Sequence, residues 1–182
     1  MGKLIVISGA SGVGKGTVLG IAMKKRDDLR FSVSATTRPP RPNEVDGVHY
    51  FFLDRDRFET MIAAGEFLEY SNHMSNFYGT PRGQALEKME KGHVLLDIEP
   101  NGAGQVKKNM PEATLIFIMP PSMEELERRL RGRGDTPEEQ IRIRLERARW
   151  EMEQSKWYDH VVINDDADRC AEEIIKIIAD EA

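Results

Sequence analysis

The apolar run Leu4-Ile5-Val6-Ile7 leads almost at once into Gly9-Ala10-Ser11-Gly12-Val13-Gly14-Lys15-Gly16-Thr17, and the residues after it can form a helix. No other segment constrains the fold so narrowly. A buried strand, a glycine-rich turn and a helix in that order make a phosphate-binding loop. The glycines admit backbone conformations that a Cβ obstructs, so successive N–H groups turn inward at a helix N-terminus and bind a phosphate. Lys15 adds a mobile cation between the β- and γ-phosphates of a nucleoside triphosphate. A dinucleotide fingerprint fits worse. Gly12-x-Gly14 calls for a third small residue and finds Thr17, and no acidic residue closes a strand about 20 residues later. Hydride chemistry is thereby excluded.

One position departs from the general loop motif. Ser or Thr commonly follows the lysine and binds Mg²⁺; here Gly16 stands there, with Thr17 next. Mg²⁺ keeps several waters and can be carried by substrate phosphates, so the loop still suits a Mg²⁺-nucleotide. Thr17 and Asp97 are the candidates to reach the metal, through water. Asp97 closes the apolar run Val94-Leu95-Leu96, which supplies the acidic strand end expected beside such a loop.

Further short apolar runs at 31–33, 94–96, 115–119 and 161–163 alternate with helical stretches at 16–25, 102–109, 123–130, 137–156 and 167–179. That alternation predicts a parallel sheet covered on both faces. A length of 182 residues, 40% hydrophobic, suits one core rather than two. Residues 35–91 break the rhythm with Pro39, Pro40 and Pro42, β-like pieces around Tyr50 and Phe67, and two candidate helices, which predicts an insertion. The stretch 123–153 reads as a charged helical hairpin interrupted at 132–137. In it Glu124 with Arg128 and Glu125 with Arg129 make i, i+4 pairs, and Arg128, Arg142 and Arg147 are expected on a solvated face.

The formal charge is −5 with both signs interspersed, which argues against duplex nucleic acid as a partner. No apolar run approaches a signal-peptide core or a membrane span, so a soluble protein of the cytoplasm is expected. Cys170 is the only cysteine, in register with Ile174, Ile177 and Ile178 on the buried stripe of a last helix. His49, His73, His93 and His160 show no metal-ligand spacing.

The loop says that a nucleoside triphosphate binds; the insertion must name the acceptor. Its richest run is Ser32-Val33-Ser34-Ala35-Thr36-Thr37-Arg38-Pro39-Pro40-Arg41-Pro42-Asn43-Glu44, followed by Asp46-Gly47-Val48-His49-Tyr50-Phe51. This run resembles the GMP-binding segment of guanylate kinases, as do Gly65-Glu66-Phe67-Leu68-Glu69 and Tyr78-Gly79-Thr80-Pro81-Arg82. The likeness continues through Leu96-Asp97-Ile98, Pro120-Pro121-Ser122, Arg129-Leu130-Arg131-Gly132-Arg133-Gly134 and Val162-Ile163-Asn164-Asp165-Asp166, in order along nearly the whole chain.

The resemblance implies an α/β P-loop kinase fold. Its five-stranded parallel core sheet, flanked by helices, falls in 1–34, 92–126 and 147–182, with a mixed α/β GMP-binding insertion at about 35–91 and a helical lid at about 127–146. It implies transfer of the γ-phosphoryl group of ATP to GMP, and to dGMP, with Mg²⁺ accompanying ATP, in purine nucleotide metabolism. Oligomeric state is left open. On the donor side the matching residues are Gly9, Ala10, Ser11, Gly12, Val13, Gly14, Lys15, Gly16, Thr17 and Asn164, the last at the adenine edge. Arg129, Arg133 and Arg144 are the lid arginines that act with Lys15 in catalysis. On the acceptor side Arg38 and Arg41 hold the GMP phosphate with Tyr50 and Tyr78. Ser34, Glu69 and Thr80 form the base pocket, with Asp97 and Glu99 beside it.

The chemistry agrees. Arg38 and Arg41 are two planar cationic forks in a Pro-stiffened passage, suited to one phosphate monoester. Guanine presents N1–H and its N2 amino group as adjacent donors that a carboxylate accepts as a pair. Four positions depart from the family pattern: Asn43 and Ser75 stand where Gly is usual, Glu99 where Asp is usual, and Asn101 where Gln is usual. Asn tolerates positive φ, so the first change keeps the turn. Two rivals remain: a catalytically silent interaction module of the same fold, against which Lys15 and the complete loop argue, and a kinase of a sugar bisphosphate, against which Glu69, Thr80 and the two arginines argue.

Overall fold

The computed structural model describes residues 2–73, 75–132 and 137–181. In chain order it contains β1 (Leu4–Gly9), α1 (Lys15–Lys25), β2 (Leu29–Phe31), β3 (Ala35–Thr36), β4 (Phe51–Phe52), α2 (Arg55–Ala63), β5 (Phe67–His73), β6 (Asn76–Pro81) and α3 (Arg82–Met89). There follow β7 (His93–Asp97), α4 (Pro100–Asn109), β8 (Thr114–Met119), α5 (Met123–Arg131), α6 (Glu138–Gln154), a 3₁₀ turn at Ser155–Trp157, β9 (His160–Ile163) and α7 (Ala167–Asp180).

Strands β2, β7, β1, β8 and β9 form the expected five-stranded parallel sheet, in that order. In β1 and β8 every residue but the last is buried, as near-continuous apolar strands require when both faces are covered. Of the stripe expected on the last helix, Cys170, Ile174 and Ile178 are buried together with Ala171, whereas Ile177 is half-buried; burial pushes the Cys170 thiol up to about 11. One boundary differs from expectation. The strand read at 31–33 lies at Leu29–Phe31, because Leu29 is the residue that enters the core while Phe31 is 40% exposed.

By the density of its internal contacts the chain falls into two compact units. One comprises Met1–Leu4, Asp28–Leu96 and Asn101–Ala113, the other Ile5–Asp27, Asp97–Pro100 and Thr114–Ala182. The first unit contains a four-stranded mixed sheet, β4-β3-β6-β5. Its apolar face packs Ala35, Phe58, Met61 and Phe67 together, with Phe58 stacked on Phe67 at 4.4 Å and on Phe77 at 5.3 Å. Strand β5 is an edge, and α4 covers it. The Gln105 side-chain amide accepts from Tyr70 N–H at 3.1 Å and donates to Tyr70 C=O at 2.9 Å, completing hydrogen bonds that a further strand would otherwise make.

The pairing of β5 with β6 is broken once: Phe67 faces Pro81, whereas Glu69 faces Thr80. Side chains two apart on a regular strand share a face, so this bulge turns Phe67 to the apolar side and aims Glu69 to the other, where it meets Thr80.

Asn43 (φ 74°) and Ser75 (φ 69°) are the non-glycine residues with positive φ among the described residues. Both are positions where a glycine was expected from the resemblance. A left-handed conformation costs an L-residue about 1–2 kcal/mol, and glycine returns part of that gain as backbone entropy. Ser75→Gly is therefore expected to raise unfolding stability by about 0.5–1 kcal/mol, and Asn43→Gly by less, since Asn tolerates the region better. Urea unfolding of the two variants reads the difference directly.

Candidate active site

The loop between β1 and α1 is held in shape by three other elements of its own unit. Gly12 and Gly14 take φ of 90° and 92°, and Gly14 is the N-cap of α1. A Cβ on Gly12 would stand 2.6 Å from Leu130 Cδ2 of α5, and one on Gly14 would stand 2.9 Å from Asn164 Nδ2, so both positions need glycine for space as well as for φ. The Asn164 side chain, buried after β9, donates to Val13 C=O at 2.7 Å. Arg129 of α5 spreads its guanidinium over Glu125 (2.8 Å), Val13 C=O (3.2 Å) and Asn164 C=O (3.0 Å). From α6, the buried Glu151 carboxylate accepts Ser11 N–H at 2.9 Å. Residues 9–17 then line a cavity of about 440 Å³ together with Glu99, Arg147 and Glu151.

Lys15 begins α1 and is ion-paired with Asp97 at the end of β7. Arg147 bridges Glu99 at 2.5 Å and Glu151 at 3.0 Å. Among the described residues no group of three or more His, Cys, Asp or Glu side chains is placed to hold a metal ion. Thr17 lines the cavity and Asp97 stands at Lys15, both hard oxygen donors. That donor set fits a Mg²⁺ that keeps its waters and is carried by nucleotide phosphates.

The second cluster lies on the mixed sheet. Thr80 and Glu69 are cross-strand partners, and the Thr80 hydroxyl donates to Glu69 Oε1 at 2.6 Å; the Glu69 residue is only 6% exposed. Ser34 precedes β3 and is half-buried, its carbonyl accepting Phe51 N–H at 2.9 Å. Arg38 grips Glu44 with both Nη atoms, at 3.0 and 2.9 Å, and Glu44 also accepts Arg41 N–H at 2.7 Å. The Arg38 guanidinium beside it, and then the Arg41 amide, hold the Glu44 carboxyl down at about 2. Glu44 first, and Tyr78 after it, hold the Arg38 pKa above its ordinary value. Arg38 Cζ lies 5.6 Å from the centre of the Tyr50 ring, which meets Tyr78 edge-on at 6.3 Å. Arg41 is exposed.

Glu69, Tyr78 and Thr80 lie on strands of the mixed sheet, with Arg38 two residues past β3 and Tyr50 immediately before β4. The structure places Asp97 and Glu99, expected beside the base pocket, in the unit that holds the phosphate loop, Asp97 on Lys15 and Glu99 at the loop cavity. Arg144 is half-buried on α6; Arg133 lies outside the described residues. One expectation about the charged helices is corrected. Arg128 joins Arg129 on Glu125 rather than pairing with Glu124, because i, i+3 spacing also puts Glu125 in reach. Arg147 is exposed as expected, and it also lines the loop cavity. Sequence reading missed Glu44 and Glu151. A signal existed for the second: Glu151 continues the stripe Ile141, Leu145, Ala148 of α6, and an acid on an apolar stripe needs a partner.

A glycine-rich loop joining a buried strand to a helix, a lysine at its end and an acidic strand terminus beside it define the phosphate site of a P-loop nucleotide-binding protein. Comparison with known proteins narrows that class. The guanylate kinase family profile matches residues 1–181. A guanylate kinase of Clostridioides difficile is 49% identical over 181 residues, covering 99% of this chain and 88% of its own, and one from Nostoc sp. is 51% identical over 166 residues, covering 91% and 83%. The crystal structure of guanylate kinase from Anaplasma phagocytophilum superposes with a TM-score of 0.74 at 35% identity, covering 99% of this chain and 86% of that one. The chain belongs to the guanylate kinase family.

Proposed function

We propose that this protein transfers the γ-phosphoryl group of ATP to GMP, forming ADP and GDP, and that it serves purine nucleotide metabolism in the cytoplasm. The observation that carries the choice of acceptor is the buried Glu69 carboxylate, fixed by Thr80, with the Arg38 clamp two residues past β3 of the same sheet. A pocket for a phosphate alone needs no such carboxylate, whereas the N1–H and N2 amino donors of guanine do. No helix among the described residues is long and apolar enough to cross a membrane.

On the donor side the loop amides and Lys15 bind the β- and γ-phosphates, and Arg129, Arg133 and Arg144 add charge that disperses the negative charge of the moving group. Thr17 and Asp97 are the residues that would hold a Mg²⁺ carried in with the nucleotide, and the ion would neutralise charge on the phosphate oxygens. Asn164 sets the loop and stands at the adenine edge. On the acceptor side Arg38 and Arg41 hold the GMP phosphate with Tyr50 and Tyr78, and Ser34, Glu69 and Thr80 read the base. No strong base is needed, because the attacking GMP oxygen is already anionic.

A coupled assay of ADP release with GMP, dGMP, AMP or buffer alone tests this. GMP is expected to support turnover, dGMP to follow it, and AMP to lag by at least about 10²-fold, since a site built to pair substrate donors rejects a base that lacks them. Equal rates with AMP and GMP, or no release dependent on GMP, would overturn it.

A further inference from the structure

Arg147 has two carboxylate partners of very different kinds. Its Nε is held at 3.0 Å by Glu151, whose side chain is 5% exposed and whose other oxygen is fixed by Ser11 N–H of the phosphate loop. Its Nη2 meets Glu99, whose side chain is 65% exposed. The first contact is part-buried, and its acid is tied to the loop backbone. The second is a solvated ion pair of the sort that contributes little and exchanges readily. The guanidinium is therefore anchored along one edge and presents the other to the cavity that residues 9–17 line. A planar fork so presented matches a phosphate oxygen pair, which binds it more strongly than a solvated carboxylate does.

We propose that Arg147 is a further contact to the phosphate chain of the donor nucleotide, exchanging Glu99 for phosphate oxygens, with Glu151 as the residue that positions it. The proposal rests on the ATP-binding reading above. It gives Glu99 a definite role as the competitor that occupies Arg147 until a polyanion displaces it. Opposite signs are then expected for removing the two partners, which a purely structural network would not produce.

The test is calorimetric titration of the full chain with Mg²⁺-ATP, and separately with GMP, for the parent and for Arg147→Ala, Arg147→Lys, Glu99→Gln and Glu151→Gln, each checked by thermal melting. Arg147→Ala is expected to weaken ATP about ten-fold, with Arg147→Lys recovering part of that loss. Glu99→Gln is expected to tighten ATP about two- to five-fold, and to have no effect once Arg147 is Ala. Glu151→Gln still accepts Ser11 N–H through its amide oxygen but releases Arg147, so its ATP affinity should fall toward that of Arg147→Ala while GMP affinity holds. ATP affinity in Arg147→Ala within two-fold of the parent would overturn the proposal and leave the donor site standing. Equal loss of ATP and GMP affinity with a lowered melting temperature would assign Arg147 to structure alone and overturn it too. If the parent itself fails to bind ATP, the donor reading falls, and this inference with it.

Discussion

Lys15→Ala is expected to lower kcat for GDP formation by about 10²–10³-fold, the loss typical of removing one preorganised charge from a developing transition state. The fold should survive. The Lys15 side chain is 21% exposed at the first position of α1, so its removal leaves no core cavity, and Asp97, itself 40% exposed, can hydrate once its partner is gone. The loop should keep its shape as well, since Val13 C=O is held by Asn164 and Arg129 and Ser11 N–H by Glu151. GMP affinity is expected to change little, because the Lys15 charge acts on the phosphoryl group being transferred rather than on the groups that grip GMP. Coupled ADP-release kinetics and GMP calorimetry on the variant check both halves. Undiminished ATP-dependent GDP formation would remove Lys15 from the mechanism.

The second large effect is one of specificity. Glu69→Gln is expected to narrow the GMP-over-AMP ratio of kcat/KM by at least about ten-fold. The Thr80 hydroxyl donates to Glu69 Oε1 at 2.6 Å, and in the variant it would select the amide oxygen of Gln for that place. The amide NH₂ is then turned toward guanine N1–H and N2, donor against donor, where the carboxylate accepted. Arg38→Ala should behave differently, weakening both nucleotides by one factor, because the phosphate grip takes no account of the base. The measurement is kcat/KM for GMP and AMP in the parent and both variants. An unchanged ratio in Glu69→Gln would mean that Glu69 does not read the base.

Much of the donor site was legible because it is local. The loop residues 9–17, the strand before and the helix after are contiguous, and glycine at Gly12 and Gly14 answers a backbone demand that any reader of φ can infer. The positive φ of Asn43 and Ser75 was legible for the same reason, as a turn whose usual residue had been replaced. What was missed on the donor side lies on α6. Arg147 and Glu151 are spaced i, i+4, which is the pattern of an ordinary surface pair, and only the packing of α6 on the loop shows that one of them is buried and bonded to Ser11 N–H.

By itself, then, the sequence determined the order of the strands and helices, the parallel character of the core sheet and the existence of a phosphate loop, because hydrophobic period and glycine placement act over a few neighbouring residues. The tertiary structure alone decided where Glu69 points. Strand alternation would put Phe67 and Glu69 on one face, and a single bulge, set by pairing with Thr80 and Pro81 on another strand, sends the ring to the core and the carboxylate to the site. It also decided which acids meet which bases. Asp97 takes Lys15, Glu44 takes Arg38 and Glu151 takes Arg147. For Asp97 with Lys15 that choice joins residues far apart in the chain, and it depends on distances and burial that no local pattern encodes.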